Sequence, residues 1–414
     1  MRLYWLPTHL PAAMNVLVLN AGSSSIKYQL FTMPEQRVVA QGAIERIGEE
    51  QSRVRHTSYR NATPRTYEQD QAIPDHQQGL QRVSELLLDE AYGVVKHPNE
   101  VALIGHRVVH GGEYFSEAAL ITDQVMERIR ELTPLAPLHN PPNLTGIAEA
   151  QRVFPHAQQV AVFDTAFHQT LPDYAFRYPV PNDLYHEHRA RVYGMHGTSH
   201  RYVAQAAADF LQQPLTSLNL ITIHLGNGCS MAAVRAGKSV DTSMGLTPLP
   251  GLMMGTRSGD IDPALVYFLT RETGRTAAEV DHLLNHDSGL LGITGHNDLR
   301  EVTQQYKAGN DAARLALEMY TYRIKKYVGS YLAVLGRADA LVFTAGVGEN
   351  SPLIRQMSCA GLEPLGIALD NTKNETASSE ARAIQSADSR IRVLVVPTNE
   401  ELAIAQEAYA VAGE

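Results

Sequence analysis

The stretch Met14-Asn-Val-Leu-Val-Leu-Asn20-Ala-Gly-Ser-Ser-Ser-Ile-Lys27-Tyr-Gln-Leu-Phe31 decides how the rest of the chain is read. Val16 to Leu19 is short, apolar and rich in β-branched residues, the pattern of a buried strand, and it runs into a turn of small residues from Asn20 to Ser25. Ile26 to Phe31 resumes strand character. Arg37 to Ile47 supplies a third strand after the break at Met33-Pro34-Glu35, so the region predicts an antiparallel meander whose first turn is rich in N–H and hydroxyl donors. The same grammar returns later, with a strand at Leu218 to Leu225, a turn at Gly226-Asn227-Gly228 and a strand at Ser230 to Val234. Asn20-Ala21-Gly22 and His224-Leu225-Gly226 hold matching places in the two copies. Solenoid repeats run only about 20–50 residues, so this long period predicts two similar α/β domains facing one another, with a ligand cleft between them.

A chain of 414 residues has room for two or three domains. Lys and Arg number 35 against 44 Asp and Glu, a formal net charge of -9 that disfavours nucleic acid and acidic membrane surfaces as partners. An anionic ligand must then be held by local features. Cys229 and Cys359 are too few for a disulfide framework and form no C-x-x-C, which fits a reducing cytoplasm. No apolar run approaches the roughly 20 residues that span a bilayer. Met1 to Ala13 lacks the apolar core of a secretory signal and reads as a mobile extension, Trp5 included, ahead of a natural start at Met14.

Further elements follow from pattern. Gln78 to Ala91 reads as a helix, Val101 to Val109 as a strand ending at His110-Gly111-Gly112, and Val160 to Phe163 as a strand ending at Asp164. Thr198 or Ser199 is expected to cap a helix through Tyr202 to Leu211, and Asp311 to Leu335 to form one long helix. Ala340 to Thr344 leads into Gly346-Val347-Gly348-Glu349-Asn350, and Ile391 to Val396 into Pro397-Thr398-Asn399-Glu400, where Thr398 and Glu401 fit a capping box. Asn371 to Arg382 reads as a surface loop.

A tight turn of glycine or serine can aim several N–H groups at one phosphate, and Gly22 to Ser25, Gly226 to Gly228 and Gly346 to Gly348 each follow an apolar strand. Ala236-Gly237-Lys238-Ser239 only imitates a P-loop, because Ala232 stands where the first glycine is required. His196 and His200 have the i, i+4 spacing of metal ligands, but Gly197 disfavours a helix there and no glutamate lies between them. Arg107 and Arg257 sit among glycines; each is either a surface ion-pair partner or a planar fork for carboxylate or phosphoryl oxygens. Asp164 is on pattern alone either a buried cap or a catalytic carboxylate.

Taken together, Asn20 to Lys27, Gly105 to Gly112, Phe163 to His168, His196 to His200, His224 to Gly228, Gly255 to Asp260, Gly346 to Asn350 and Thr398 to Glu401 resemble the acetate kinase family, in order and spacing, from Met14 to near the C-terminus. The resemblance implies an α/β fold of duplicated ribonuclease-H-like (actin-like ATPase) domains flanking an active-site cleft. It places an N-terminal domain at 14–165, rejoined by 398–414, and a nucleotide-binding domain at 166–397. It also implies a homodimer that reversibly phosphorylates acetate with ATP, using magnesium, or manganese as an alternative. Asn20 and Glu400 then resemble the metal contacts, Ser23, Ser25 and Lys27 the phosphate donors, and Arg107 the acceptor-carboxylate residue. His196 and Arg257 resemble the groups around the transferring phosphoryl, His139 a further active-site histidine, and Asp164 the essential acid. His224, Leu225, Gly226, Asn227 and Gly228, with Asp298, Leu299 and Arg300 and the run Gly346, Val347, Gly348, Glu349 and Asn350, resemble the nucleotide site. Val109, Leu138, Met195 and Pro248 correspond to the apolar acyl pocket, where an adaptable Met195 leaves room for propionate. Acetate is already ionised near neutrality, with a pKa like that of Glu at about 4.3, so Asp164 is expected to orient metal-bound water or an arginine instead of taking a proton. Cys229 replaces a small Ala or Ser of the family pattern. The alternatives are a propionate or butyrate kinase and, from another class, an actin- or Hsp70-like ATPase with a macromolecular partner, which would not need Arg107, His139 and Arg257.

Overall fold

Alternate residues of the first strand belong to two different cores. In the computed structural model, which describes residues 13–61 and 63–413, β1 (Met14–Ala21) sends Leu17 and Leu19 into one apolar layer and Val16 and Val18 into another. That is why the run is continuously apolar: a period-two strand covered on both faces has no solvent side. The extension expected before Met14 lies, apart from Ala13, outside the described residues.

The chain divides into two units, one running to Ala166 and resumed at Asn399, the other spanning Phe167–Thr398. In the first unit β2 (Ser25–Met33), β3 (Arg37–Glu45), β4 (Ser52–Ser58) and β5 (Arg65–Gln71) extend the meander, and β6 (Val101–Val108), β7 (Ala119–Leu120) and β8 (Gln158–Phe163) complete the sheet. Its order is β5-β4-β3-β2-β1-β6-β8-β7, with β1, β6 and β8 parallel to one another. The edge strand β5 was not evident from the sequence, since Arg65–Gln71 is polar throughout and has no residue fully buried. Such an edge strand carries no core periodicity to read.

One face of this sheet is covered by helices His76–Leu88 and Asn140–Val153, through Leu80, Val83, Leu87, Ala150 and Phe154. The other is covered by the helix Glu400–Ala412, whose Ile404, Ala405, Ala408 and Tyr409 pack on Val16, Val18, Leu103, Val160 and Val162. Gly105 of β6 lets that helix lie close, since a Cβ there would come within 2.8 Å of the Ile404 Cγ2. The cap of this helix is Asn399, whose side chain accepts from the Leu402 N–H at 2.9 Å, and not Thr398 as the capping-box pattern suggested.

In the second unit, β9 (Asn219–Leu225), β10 (Cys229–Arg235), β11 (Lys238–Thr242), β12 (Ala340–Thr344), β13 (Arg382–Ala383) and β14 (Arg392–Val395) form a sheet ordered β11-β10-β9-β12-β14-β13. A hairpin set followed by parallel strands is the plan of the first unit again: β10 and β11 are antiparallel to β9, while β12 and β14 run parallel with it. Helices Gly197–Leu211 and Asp311–Leu335 pack on it, the latter with the expected bounds.

The helix expected from Thr198 or Ser199 begins at Gly197, with His196 in the N-cap place at a left-handed φ of 57°. The Ser199 hydroxyl is bonded to His224 and Thr398 and so serves tertiary structure instead of capping. The segment Asn371 to Arg382 holds a short helix, Asn371–Glu375, with Asn374 buried, because Asn374 binds the wholly buried Arg355.

Candidate active site

Period two also decides where the polar ends of the parallel strands point. Asn20 follows Val18 at the same parity on β1, Arg107 follows Leu103 and Gly105 on β6, and Asp164 follows Val160 and Val162 after β8. All three therefore share the face covered by the helix that starts at Glu400, which contributes its first residue to the group.

The Arg107 guanidinium meets Asp164 as a two-pronged ion pair, Nε to Oδ1 at 3.2 Å and Nη2 to Oδ2 at 2.5 Å, and its Nη1 lies 3.5 Å from Asn20 Oδ1. Asp164 is almost fully buried while the Arg107 side chain is 22% exposed, so the pair is anchored at its carboxylate and part of the arginine stays accessible. Burial alone would lower the Arg107 pKa, but the charges of Asp164, Glu400 and Glu401 reverse this and raise it. Glu400 is pushed up to about 7, chiefly by burial, with Arg107 pulling it down and Asp164 pushing it up. Buried Asp164 and half-buried Glu400 share Arg107, with Lys27 a further cation acting on Glu400, and the carboxylate and amide donors here are hard oxygens, which fits a divalent cation such as magnesium. No group of three or more metal-binding side chains occurs among the described residues. Asn20 and Glu400 would thus supply only part of a coordination shell, as magnesium tolerates when phosphate and water supply the rest.

The strand ends are locked by two residues the sequence reading missed. Asn143 accepts from the Val109 N–H at 3.1 Å and donates to the Ala21 carbonyl at 2.9 Å, tying β6 to β1. Asn140 accepts from the His110 N–H and donates to the His110 carbonyl. Both stand in the first turn of the helix that His139 precedes, and no sequence spacing marks them. Val109 is buried here, whereas Leu138 stands 63% exposed. Lys27 on β2 lines a small recess with Arg55 and Glu401; Ser25 starts the same strand, and Ser23 lies exposed in the turn.

In the second unit His196 stacks on His224, ring centres 4.3 Å apart and nearly parallel. A Cβ on Gly228 would lie 3.4 Å from His196 Nε2 and 3.6 Å from Arg257 Nη1, so both groups border the backbone of the Gly226–Gly228 turn. Arg257 donates to the Pro248 carbonyl at 3.1 Å, and burial lowers its pKa. Met195 is buried, with its carbonyl bonded to His168.

A cavity of about 1170 Å³ opens beside this turn, lined by Gly226, Asn227, Asp298, Leu299, Arg300, Gly346, Val347 and Asn350 among others. His224, Leu225, Gly228, Gly348 and Glu349 are not on its wall. His224 and Leu225 are buried beneath it, and Glu349 accepts from the Thr398 N–H. The run Gly346–Asn350, expected as a turn, belongs to a short helix, Ala345–Asn350, opened by Ala345 at φ 64°. Strain of this kind, about 1–3 kcal/mol, persists only where surroundings impose it. The far end of this helix is held by Arg355, which donates to the carbonyls of Gly348 and Glu349 at 2.9 Å each and grips Asn374 with its other nitrogens.

Paired α/β units with the same hairpin-then-parallel sheet and polar strand ends define a protein of the duplicated ribonuclease-H-like, actin-like ATPase class. Within that class, the acetokinase family model matches residues 15–406, and the chain belongs to that family. It is 52% identical to an acetate kinase of Lawsonia intracellularis over 95% of this chain and 98% of the relative. Among solved structures, an acetate kinase from Porphyromonas gingivalis is 44% identical, covers 97% of this chain and 100% of its own, and superposes with a TM-score of 0.91. A propionate kinase from Francisella tularensis is also 44% identical, covering 95% and 98%, with a TM-score of 0.88.

Proposed function

We propose that this protein is an acetate kinase, transferring the γ-phosphoryl group of ATP directly and in line to acetate, reversibly, to give acetyl phosphate and ADP. The observation that carries the reading is the Arg107–Asp164 pair: a guanidinium fixed by a buried carboxylate and still partly accessible, in a chain of the acetokinase family. A carboxylate acceptor needs a planar, permanently charged donor and no general base, since it is ionised at neutral pH. Asp164 accordingly orients Arg107. His139 precedes the helix that locks this region, and Val109 and Leu138 in the first unit, with Met195 and Pro248 in the second, are assigned to the acyl group.

The second unit holds the nucleotide. Its cavity takes the base and ribose among Asp298, Leu299, Arg300 and Gly346 to Asn350, while the Gly226–Gly228 turn faces the phosphates. Ser23, Ser25 and Lys27 of the first unit are assigned to phosphate oxygens. Charge in phosphoryl transfer spreads over the equatorial oxygens, so catalysis is mostly positioning and donors, the part given to His196 and Arg257. Magnesium, or manganese in its place, would be held by Asn20 and Glu400, and when bound it neutralises charge on the phosphates.

Propionate is a second acceptor to be expected, because the propionate kinase of Francisella tularensis matches this chain as closely in identity as the acetate kinase of Porphyromonas gingivalis. Hydroxamate trapping with ATP and magnesium tests the reading. Acetate, or acetate with propionate, should give acyl phosphate, and Arg107→Ala should abolish it; ATP turnover indifferent to any carboxylate would overturn it.

Two further assignments accompany this reading. The helix Ala264–Thr273 is apolar yet has no buried residue, and Tyr267 and Phe268 on it are exposed; a second copy of the chain would cover such a face in a homodimer. Both cysteines are free, which suits a reducing cytoplasm, and no described helix is long and apolar enough to cross a membrane.

A further inference from the structure

Beneath His196 runs a chain of short hydrogen bonds that the proposed reaction does not itself use. His196 Nδ1 lies 2.8 Å from Ser230 Oγ, Ser230 Oγ lies 2.8 Å from His200 Nε2, and His200 Nδ1 lies 2.7 Å from Thr222 Oγ1. All three supporting residues are buried: Ser230 on β10 opposite His224, Thr222 two positions along on β9 opposite Ala232, and His200 one turn into the helix that His196 begins. Each bond holds one proton, and a serine hydroxyl has one to give. His200 is neutral, its pKa held well below the ordinary value by burial and by the neighbouring His168 and His224. A neutral imidazole in two hydrogen bonds must donate one and accept the other, and Ser230 could accept from both imidazoles only by leaving its own buried proton without an acceptor among the described hydrogen bonds, so protons along the whole chain point in one direction or the opposite.

The two directions give His196 different faces. If the protons point inward, His196 donates from Nδ1, and while neutral it turns a lone pair at Nε2 toward the Gly226–Gly228 turn. The Thr222 proton must then seek the Ala232 carbonyl at 3.4 Å, the edge of hydrogen bonding. If they point outward, Thr222 donates to His200 at 2.7 Å, His200 to Ser230, and Ser230 to His196 Nδ1, so every proton sits in a short bond. His196 then carries its own proton on Nε2, beside Gly228 and Arg257. A lone pair there would repel an anion. A second cation there would face the Arg257 guanidinium, which borders the same turn, with the His224 ring stacked behind.

We propose that Ser230, His200 and Thr222 are positioning residues that hold His196 as a neutral imidazole protonated on Nε2, an uncharged donor toward the phosphoryl group. The role of the donor rests on the kinase reading above; the tautomer does not. The test is ¹⁵N NMR of the full-length protein with labelled histidine, His196 being assigned by its loss in His196→Gln. The expected result between pH 6.5 and 8.5, without nucleotide, is one protonated ring nitrogen, Nε2. Protonation at Nδ1 alone, or at both nitrogens, overturns the proposal.

Ser230→Ala should leave the His196 tautomer mixed and lower kcat by roughly ten- to a hundredfold, as loss of a residue that orients an active histidine does. Its KM for ATP should stay near the parent value, and Ser230→Thr should restore both the spectrum and most of the rate. Thr222→Val separates the two directions. It removes the donor that sets the outward order, so the Nε2–H signature should give way to a mixture of tautomers; a spectrum unchanged from the parent would refute the part given to Thr222. These spectra need no catalysis, so a failure of the tautomer assignment is distinguishable from a failure of the acetate kinase reading.

Discussion

Changing Asp164 to asparagine keeps the size of the side chain and removes the charge that holds Arg107. One amide oxygen can still accept from the guanidinium, but the amide nitrogen, a donor, would face the other N–H of the fork, so the two-pronged pair at 3.2 and 2.5 Å cannot be rebuilt. Breaking a fully buried pair from one side costs about 3–5 kcal/mol; with the Arg107 side chain 22% exposed, water takes part of the load and about 2 kcal/mol is expected. In a unit of this size that corresponds to a loss of about 4–8 °C in melting temperature. The kinetic effect should be larger. A guanidinium displaced by about 1 Å from an acceptor carboxylate loses roughly a hundredfold in rate, and loss of its fixed orientation extends this to about a thousandfold. The assay is hydroxamate trapping with ATP, magnesium and acetate, on Asp164→Asn, Arg107→Gln and the double variant. If Asp164 acts through Arg107, the double variant is no slower than Arg107→Gln alone. An Asp164→Asn enzyme with nearly full activity, or a double variant in which the two losses multiply, would refute the argument.

Acid should destabilise the fold earlier than carboxylate titration would. His106 and His168 are buried with pKa values pushed down to about 4 by burial, and His200 lies well below its ordinary value. Unfolded, each takes a proton as the pH falls through about 6.5 and, folded, it does not, so His106 and His168 each contribute a loss approaching 1.4 kcal/mol per pH unit between there and about 4, and His200 adds a loss of the same sign. Chemical denaturation at pH 7.5 and pH 5 checks this, and equal stabilities would contradict it. Arg355→Met should loosen the Ala345–Asn350 turn, since four hydrogen bonds to Gly348, Glu349 and Asn374 go with it; a loss of about 2–4 kcal/mol and a raised KM for ATP are expected. A charged Tyr267→Lys, Phe268→Glu surface should sediment as a monomer that still folds, because neither side chain is buried within this chain.

What the sequence made legible was the part written in period two. The runs Val16 to Leu19, Val160 to Phe163 and Ala340 to Thr344 are apolar because both faces of their sheets are covered, and the polar residues that end them had to lie at strand termini. The helix Asp311–Leu335 was legible for the same reason at its own period. The polar positions whose partners lie far along the chain were not legible. Thr398 and Asn399 both satisfy a capping rule, and the choice falls to Asn399 because the Thr398 hydroxyl meets Ser199 and its N–H meets Glu349. Arg355 and Asn374 form a buried pair 19 residues apart in segments with no motif. Asn143 joins two strand ends from the first turn of a helix. Each is a hydrogen-bonding requirement set by tertiary proximity, and residue spacing carries no trace of it.

The helix Glu400–Ala412 belongs to the first unit, although the whole of the second lies between it and the strands it covers. On the ribosome, therefore, the first unit emerges with Val16, Val18, Leu103, Val160 and Val162 bare on one side of its sheet, and it stays so while some two hundred further residues are made. The second unit, continuous in sequence, can fold in that interval. Glu400 arrives on the same segment that seals the apolar face, so the order of synthesis covers that face and completes the polar group around Arg107 at one moment, and an interrupted polypeptide is left without either.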